Sequence, residues 1–114
     1  MLAAALAACA HGRPAGEGPV EVGLASFYGR ELQGRRTASG ERYDPRGLTC
    51  ASRTFPIGSR VRVTDLDTGR SVEATVNDRG PWVKGRVVDL SVGAARALGI
   101  LERGVARVRV ERAD

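Results

Sequence analysis

The segment from 60 to 77 constrains the fold more than any other. Arg60-Val61-Arg62-Val63-Thr64-Asp65-Leu66 alternates strictly, Asp67-Thr68-Gly69 has turn chemistry, and Arg70-Ser71-Val72-Glu73-Ala74-Thr75-Val76-Asn77 alternates again. A period of two belongs to half-buried strands, and two such runs joined by a Gly-containing turn predict a hairpin. Val61 and Val63 then share one face with Val72, Ala74 and Val76, and the chain leaves the core at Asn77 and Asp78. A hairpin is marginal by itself, so the rest of the chain has to complete a sheet around it.

At 114 residues there is room for one small domain. Val20, Val22, Leu24, Ser26 and Tyr28 alternate with other residues, which predicts a strand ending at Gly29. A short strand is expected within 48–54, stopped by Pro56 and Gly58, and others at 86–90 and 105–110. Ser91 reads as the N-cap of one short helix that ends at Gly99. The expected class is therefore mainly β: six short strands, one helix before the last, closed into a small barrel so that no edge is exposed. With two Phe, two Tyr and one Trp, the core must be built from Val, Leu, Ile and Ala. Residues 30–47 are polar and rich in glycine, and a loop this long in a small domain is usually functional.

The domain is expected over 20–111. Residues 10–19, Ala-His-Gly-Arg-Pro-Ala-Gly-Glu-Gly-Pro, read as a flexible linker, and the apolar residues 1–9 read as the remnant of an export signal. Leu6-Ala7-Ala8-Cys9 resembles a lipobox, which makes Cys9 a lipidation candidate and places the chain in a bacterial cell envelope, anchored by lipid to the periplasmic face of the outer membrane. Nine residues are too few to span a bilayer as a helix. Cys9 and Cys50 could pair in an oxidising space, or Cys50 could be a small buried hydrophobe if Cys9 carries lipid. Two Cys and the single His11 do not make a zinc site, so no metal and no cofactor are expected.

The net charge is +5, and Lys84 is the one lysine among eighteen basic residues. Guanidinium groups suit phosphate or carboxylate partners, an acidic cell-surface polymer among them. The arginines are scattered along the chain, as solvated surface charge would be, and the export-like leader argues against nucleic acid.

Ser-His-acid catalysis needs a base beside the hydroxyl, and the only His lies in the linker. No phosphate-binding glycine loop has the required spacing. What remains is carboxylates at loop positions and strand ends: Glu41, Asp44, Asp78 and Asp89. A carboxylic acid near apolar groups can protonate a leaving oxygen, which is the requirement for cleaving a glycosidic bond. Each also has an ordinary reading: solvated charge for Glu41 and Asp44, an Asx turn for Asp78, a pair with Arg for Asp89.

Five ordered stretches, Gly23–Gly29 (GLASFYG), 34–44 (GRRTASGERYD), 48–72 (LTCASRTFPIGSRVRVTDLDTGRSV), 76–82 (VNDRGPW) and 85–100 (GRVVDLSVGAARALGI), resemble the successive motifs of the RlpA-like (rare lipoprotein A) domain family. The resemblance implies a six-stranded double-psi β-barrel and a septal-ring lytic transglycosylase that acts on peptidoglycan strands stripped of their peptides. It implies Asp78 as the acid/base, with Glu41 and Asp44 at further catalytic positions. Ser52, Asn77, Arg53 and Arg79 are expected as contacts to the glycan, and Tyr28, Tyr43 and Trp82 as rings that stack on a sugar or pack in the core. The chain departs from the family at Cys50-Ala51-Ser52-Arg53-Thr54, where the pattern is AAHRT, so a Ser that donates a hydrogen bond stands where a titrating His is expected. That departure favours the alternative of a non-catalytic, expansin-like glycan-binding module, with Arg35, Arg36, Arg53 and Arg79 contacting an anionic wall polymer. A monomer is expected.

Overall fold

The computed structural model describes residues 18–114, so the signal remnant, Cys9, His11 and most of the linker lie outside the described residues. Six strands close a barrel: β1 (Val20–Phe27), β2 (Thr49–Ala51), β3 (Arg60–Asp65), β4 (Ser71–Asp78), β5 (Arg86–Leu90) and β6 (Ala106–Arg112), with helix α1 (Val92–Leu98) before the last. Around the barrel the order is β1-β5-β2-β4-β3-β6, β6 returning to β1. Two neighbouring pairs, β1 with β5 and β2 with β4, run parallel, and the others run antiparallel.

The hairpin forms as its alternation dictates, with Val61 opposite Ala74 and Val63 opposite Val72. Val61, Val63, Val76, Val88, Val108, Val110 and Leu90 are all fully buried within the barrel core, joined by Leu98 and Ile100 from the helix side. Each such side chain stabilises the fold by roughly 1.5–3 kcal/mol through the water it leaves. Cys50 lies among them as a free thiol, and burial pushes its pKa up to about 12. That agrees with the small buried hydrophobe, while a pairing with Cys9 lies outside the described residues.

Helix α1 starts where Ser91 Oγ accepts from Ala94 N at 3.1 Å and ends at Gly99, whose φ of 85° is one that L side chains avoid. The same hydroxyl donates to Gly47 O at 2.6 Å, tying the helix start to the end of the long loop.

Several element boundaries shift by one or two residues from the sequence reading, and three differences bear on the site. The strand expected within 48–54 shrinks to Thr49–Ala51, because Ser52 turns the chain by accepting from Thr54 N and Phe55 N. Strand β4 runs one residue further, to Asp78, because a bulge displaces Asn77: Cys50 faces Val76, and the next residue, Ala51, faces Asp78. The stretch 30–47 is not irregular throughout. A 3-10 turn at Arg30–Leu32 opens it, and Arg36 pairs with Arg42 around a tight turn at Gly40, where φ is +91°.

Candidate functional site

The bulge at Asn77 determines where Asp78 goes. Without it the period of two would carry Val76 and Asp78 to one face of β4; with the extra residue, Asp78 stands opposite Ala51 at the barrel rim. There the long loop closes over it. Ala38 N donates to Asp78 Oδ1 at 2.9 Å, as does Arg79 N at 2.9 Å, and the Tyr28 hydroxyl donates to Oδ2 at 3.2 Å. Ser39 N donates to Asn77 O at 3.0 Å, so the loop grips two consecutive residues of β4.

A cavity of about 170 Å³ opens beside this carboxyl. Tyr28, Leu32 and Tyr43 form its apolar walls, and Arg35, Arg36, Thr37 and Asp78 its polar ones. The Tyr28 and Tyr43 rings meet edge to face at 5.1 Å and 75°. Burial raises the Tyr28 pKa, and the charge of Asp78, the hydrogen bond to it and the charge of Asp89 raise it further. The phenol therefore stays a donor across the working range of pH. A larger cleft of about 470 Å³ lies between Pro19, Thr54, Phe55, Pro56, Arg112 and Asp114. The only carboxyl among its described lining residues, Asp114, is already paired with Arg112 at 2.7 Å, which makes it a poorer place for acid chemistry.

The expected site residues separate into groups. Asp78, Tyr28 and Tyr43 come together at the cavity. Tyr43 is buried there, its hydroxyl accepting from Val92 N at 3.1 Å, so it holds the helix start and offers no open ring face for stacking. Trp82 is 76 % exposed and is the aromatic whose face is free for a ligand. Glu41 sits at the exposed loop rim, outside the cavity walls, its carboxylate accepting from Ser39 Oγ at 3.2 Å. Asp44 is exposed, and the Arg46 backbone N–H at 2.9 Å, followed by the Arg46 side chain, holds its pKa below the usual carboxylate range. Its carboxylate shapes an Asx turn.

Ser52 departs most from expectation. It is 1 % exposed, its Oγ accepts from Thr54 N at 3.1 Å and Phe55 N at 2.9 Å, and its own N donates to Asp78 O at 3.1 Å. The hydroxyl is turned into the β2–β3 connection instead of toward a ligand. Arg79 is likewise committed inward, Nη1 donating to Ser52 O at 2.8 Å and Phe55 O at 2.7 Å. Arg53 is exposed and donates to Arg86 O at 3.0 Å. Asn77 is 5 % exposed, and among the described residues its Oδ1 has no partner.

Sequence reasoning missed the backbone donor at Ala38 and the walls formed by Leu32 and Thr37. Any residue but proline carries an N–H, so Ala38 gives no signal of its own. The nearest hint is Thr37-Ala38-Ser39-Gly40, in which the glycine permits the turn that aims that N–H at Asp78.

A family model described as lytic transglycolase matches residues 20–110. The probable endolytic peptidoglycan transglycosylase RlpA of a Nostoc species is 57% identical over 91 residues, covering 78% of this chain and 24% of that protein. Endolytic peptidoglycan transglycosylase RlpA of Pseudomonas aeruginosa is 55% identical over 93 residues, covering 82% of this chain and 27% of the relative. The chain thus spans about a quarter of the length of these two relatives. Among solved structures, the Streptomyces papain inhibitor superposes with a TM-score of 0.68 at 24% identity, over 90% of this chain and 100% of that one, a likeness of fold alone. With the family motifs in order along the closed six-stranded barrel, the chain belongs to the RlpA-like lytic transglycosylase family of double-psi β-barrel domains.

Proposed function

We propose that this domain is an endolytic peptidoglycan lytic transglycosylase, cleaving the MurNAc-GlcNAc β-1,4 bond and leaving 1,6-anhydro-MurNAc ends. One observation carries the reading: Asp78 is held by three hydrogen bonds at the wall of a cavity of sugar-ring scale, in a chain whose family match runs from 20 to 110. In the proposed reaction the Asp78 carboxyl gives its proton to O4 of GlcNAc as the bond from that oxygen to C1 of MurNAc breaks. The muramoyl 6-hydroxyl then bonds to C1 and returns its proton to Asp78, so one carboxyl serves as acid and then as base. Tyr28 and the Ala38 N–H fix the carboxyl's direction while this happens. The exposed Trp82 stacks on an adjoining sugar, and Arg35 and Arg36 face the anionic parts of the strand.

The reading extends to peptide-free strands at the septum and to a lipid anchor at Cys9 on the periplasmic face of the outer membrane, the domain acting as a monomer. Its support there is Leu6-Ala7-Ala8-Cys9 and the linker-like 10–19. A binding-only module is the reading favoured by Ser52, which replaces a titrating group with a turn-capping hydroxyl. Digestion of denuded glycan strands, followed by mass spectrometry, separates the two. Anhydro-ended fragments support the enzyme, and binding without fragments overturns it. Ser52→His in parallel measures what the imidazole would add.

A further inference from the structure

The outer face of β1 carries side chains that the proposed reaction does not use. Val20, Val22 and Leu24 recur at every second residue and are exposed, Val22 to 62 %. Alternation puts all three on one side of the strand. The turn before β5 lies against them, because Leu24 N donates to Gly85 O at 3.0 Å and Arg86 N donates to Val83 O at 3.1 Å. Val83 is exposed, as is Val105, which directly precedes the Ala106 that pairs with Ala25. Five of the nine large apolar side chains exposed among the described residues therefore gather around β1. Such groups scattered singly need no explanation, but a contiguous run marks a contact surface.

Cations border the run on both sides. Arg107 and Arg109 of β6 stand in register with Leu24 and Val22, and Arg86 of β5 stands in register with Leu24. Residues paired in this way share a face of the sheet. Lys84 occupies the adjoining turn, and among the described residues neither Lys84 nor Arg107 has an ion-pair partner. Glu111, the carboxylate in register with Val20, is taken up by Arg109 at 3.6 Å. No partner strand can add to β1, since β5 and β6 hold both of its sides. Val22, Leu24 and Val83 line neither the Asp78 cavity nor the cleft at Phe55, and the outside of a barrel is convex.

A convex aliphatic strip with a cationic border complements a surface that is apolar just beneath a layer of phosphates. We propose that this face docks on a bilayer carrying anionic phospholipid, the valine and leucine tips reaching the acyl boundary and Lys84, Arg86 and Arg107 the phosphates. The layout of the chain agrees with a bilayer as the occupant. The segment with the lipobox-like Leu6-Ala7-Ala8-Cys9 joins β1 at Val20, where the strip begins. The stretch from Cys9 to Val20 spans at most roughly 40 Å, so lipid on Cys9 would hold this face near the membrane.

The test is co-sedimentation of the full chain, carrying Cys9→Ser so that no lipid is attached, with vesicles of phosphatidylcholine alone or with about one-third phosphatidylglycerol. The anionic vesicles should be bound about tenfold or more tightly than the neutral ones. Each charge at such a surface is worth about fivefold, so Lys84→Gln with Arg107→Gln should weaken binding by about tenfold or more. Arg30→Gln with Arg46→Gln removes the same charge from the exposed loop 29–47 and should cost no more than about twofold. Val22→Asp, at an outward position, should abolish binding with Tm unchanged. Equal losses from the two double variants would mean attraction by net charge alone and would overturn the proposal, as would undiminished binding by Val22→Asp. Capture of soluble polyglutamate without vesicle binding would assign the face to an acidic polypeptide and overturn it too. No turnover enters these measurements, so they stand or fall apart from the transglycosylase reading.

Discussion

The β3–β4 hairpin and the loop 29–47 are held by different physics. The hairpin is fixed by Val61, Val63, Val72, Ala74 and Val76, all buried in the common core, and by ladder hydrogen bonds to β6 and β2. The loop contributes Thr37, Tyr43 and Pro45 as buried side chains and is pinned mainly by hydrogen bonds: Ala38 N to Asp78, Ser39 N to Asn77 O, Val92 N to the Tyr43 hydroxyl. The barrel therefore carries the stability, and the loop supplies the walls and donors that turn a strand end into a site. Substitutions in the two regions should separate stability from activity.

The largest effect should come from the barrel side. Leu98→Ala empties a fully buried position where the helix packs on the core, and should cost about 2–5 kcal/mol, read as a shift of the urea midpoint. At about 4–8 °C per kcal/mol, thermal unfolding should drop by about 8 °C or more, while the protein that remains folded keeps its turnover number. Ala38→Pro is the converse. It removes the N–H that Asp78 Oδ1 accepts, in an exposed loop, and should lower kcat by about tenfold with Tm shifted by only a few degrees. An equal loss of stability in both variants would erase the distinction.

An acid titration sharpens it from another direction. Asp65, at the end of β3, is fully buried; burial alone would raise its pKa, but hydrogen bonds from Arg103 and from Asp67 N, with the Arg103 charge, hold it below the ordinary value. A folded value below the unfolded one contributes stability that is complete above the unfolded pKa, about 3.9, and is lost as pH falls through the folded value. Unfolding free energy measured downward from about pH 5 should therefore decline, and Asp65→Asn should flatten part of that decline. The smallest effect is chemical: Cys50, with its thiol pushed up to about 12 by burial, should resist thiol reagents at pH 8 until urea unfolds the barrel.

The sequence made these two regions unequally legible. Period-two alternation is a strong signal, so the hairpin, the six strands and the capped helix were readable, and Asp78 stood out because it interrupts that pattern next to Gly80-Pro81. The bulge that aims Asp78 was not readable, because a bulge depends on the partner strand: it takes Ala51 across from Asp78 to define it. Order within 29–47 was hidden for a related reason. It rests on backbone donors and on Tyr43 reaching Val92 N, contacts that leave no periodicity. Ser52 read as a site residue because family motifs align types and not directions, while its hydroxyl is used by Thr54 N and Phe55 N.

The central claim is that Asp78, placed by the barrel and oriented by the loop, is the group that exchanges protons with the glycan. Its most direct test is Asp78→Asn, which keeps the shape and an oxygen for the Ala38 and Arg79 donors, puts an amide NH2 where the Tyr28 hydroxyl donates, and has no exchangeable carboxyl proton. Turnover of denuded glycan strands and thermal unfolding should be measured on the same preparation. The account predicts a loss of about 10³-fold in kcat with Tm within a few degrees of wild type. A variant that still releases anhydro-ended fragments at the wild-type rate would contradict it.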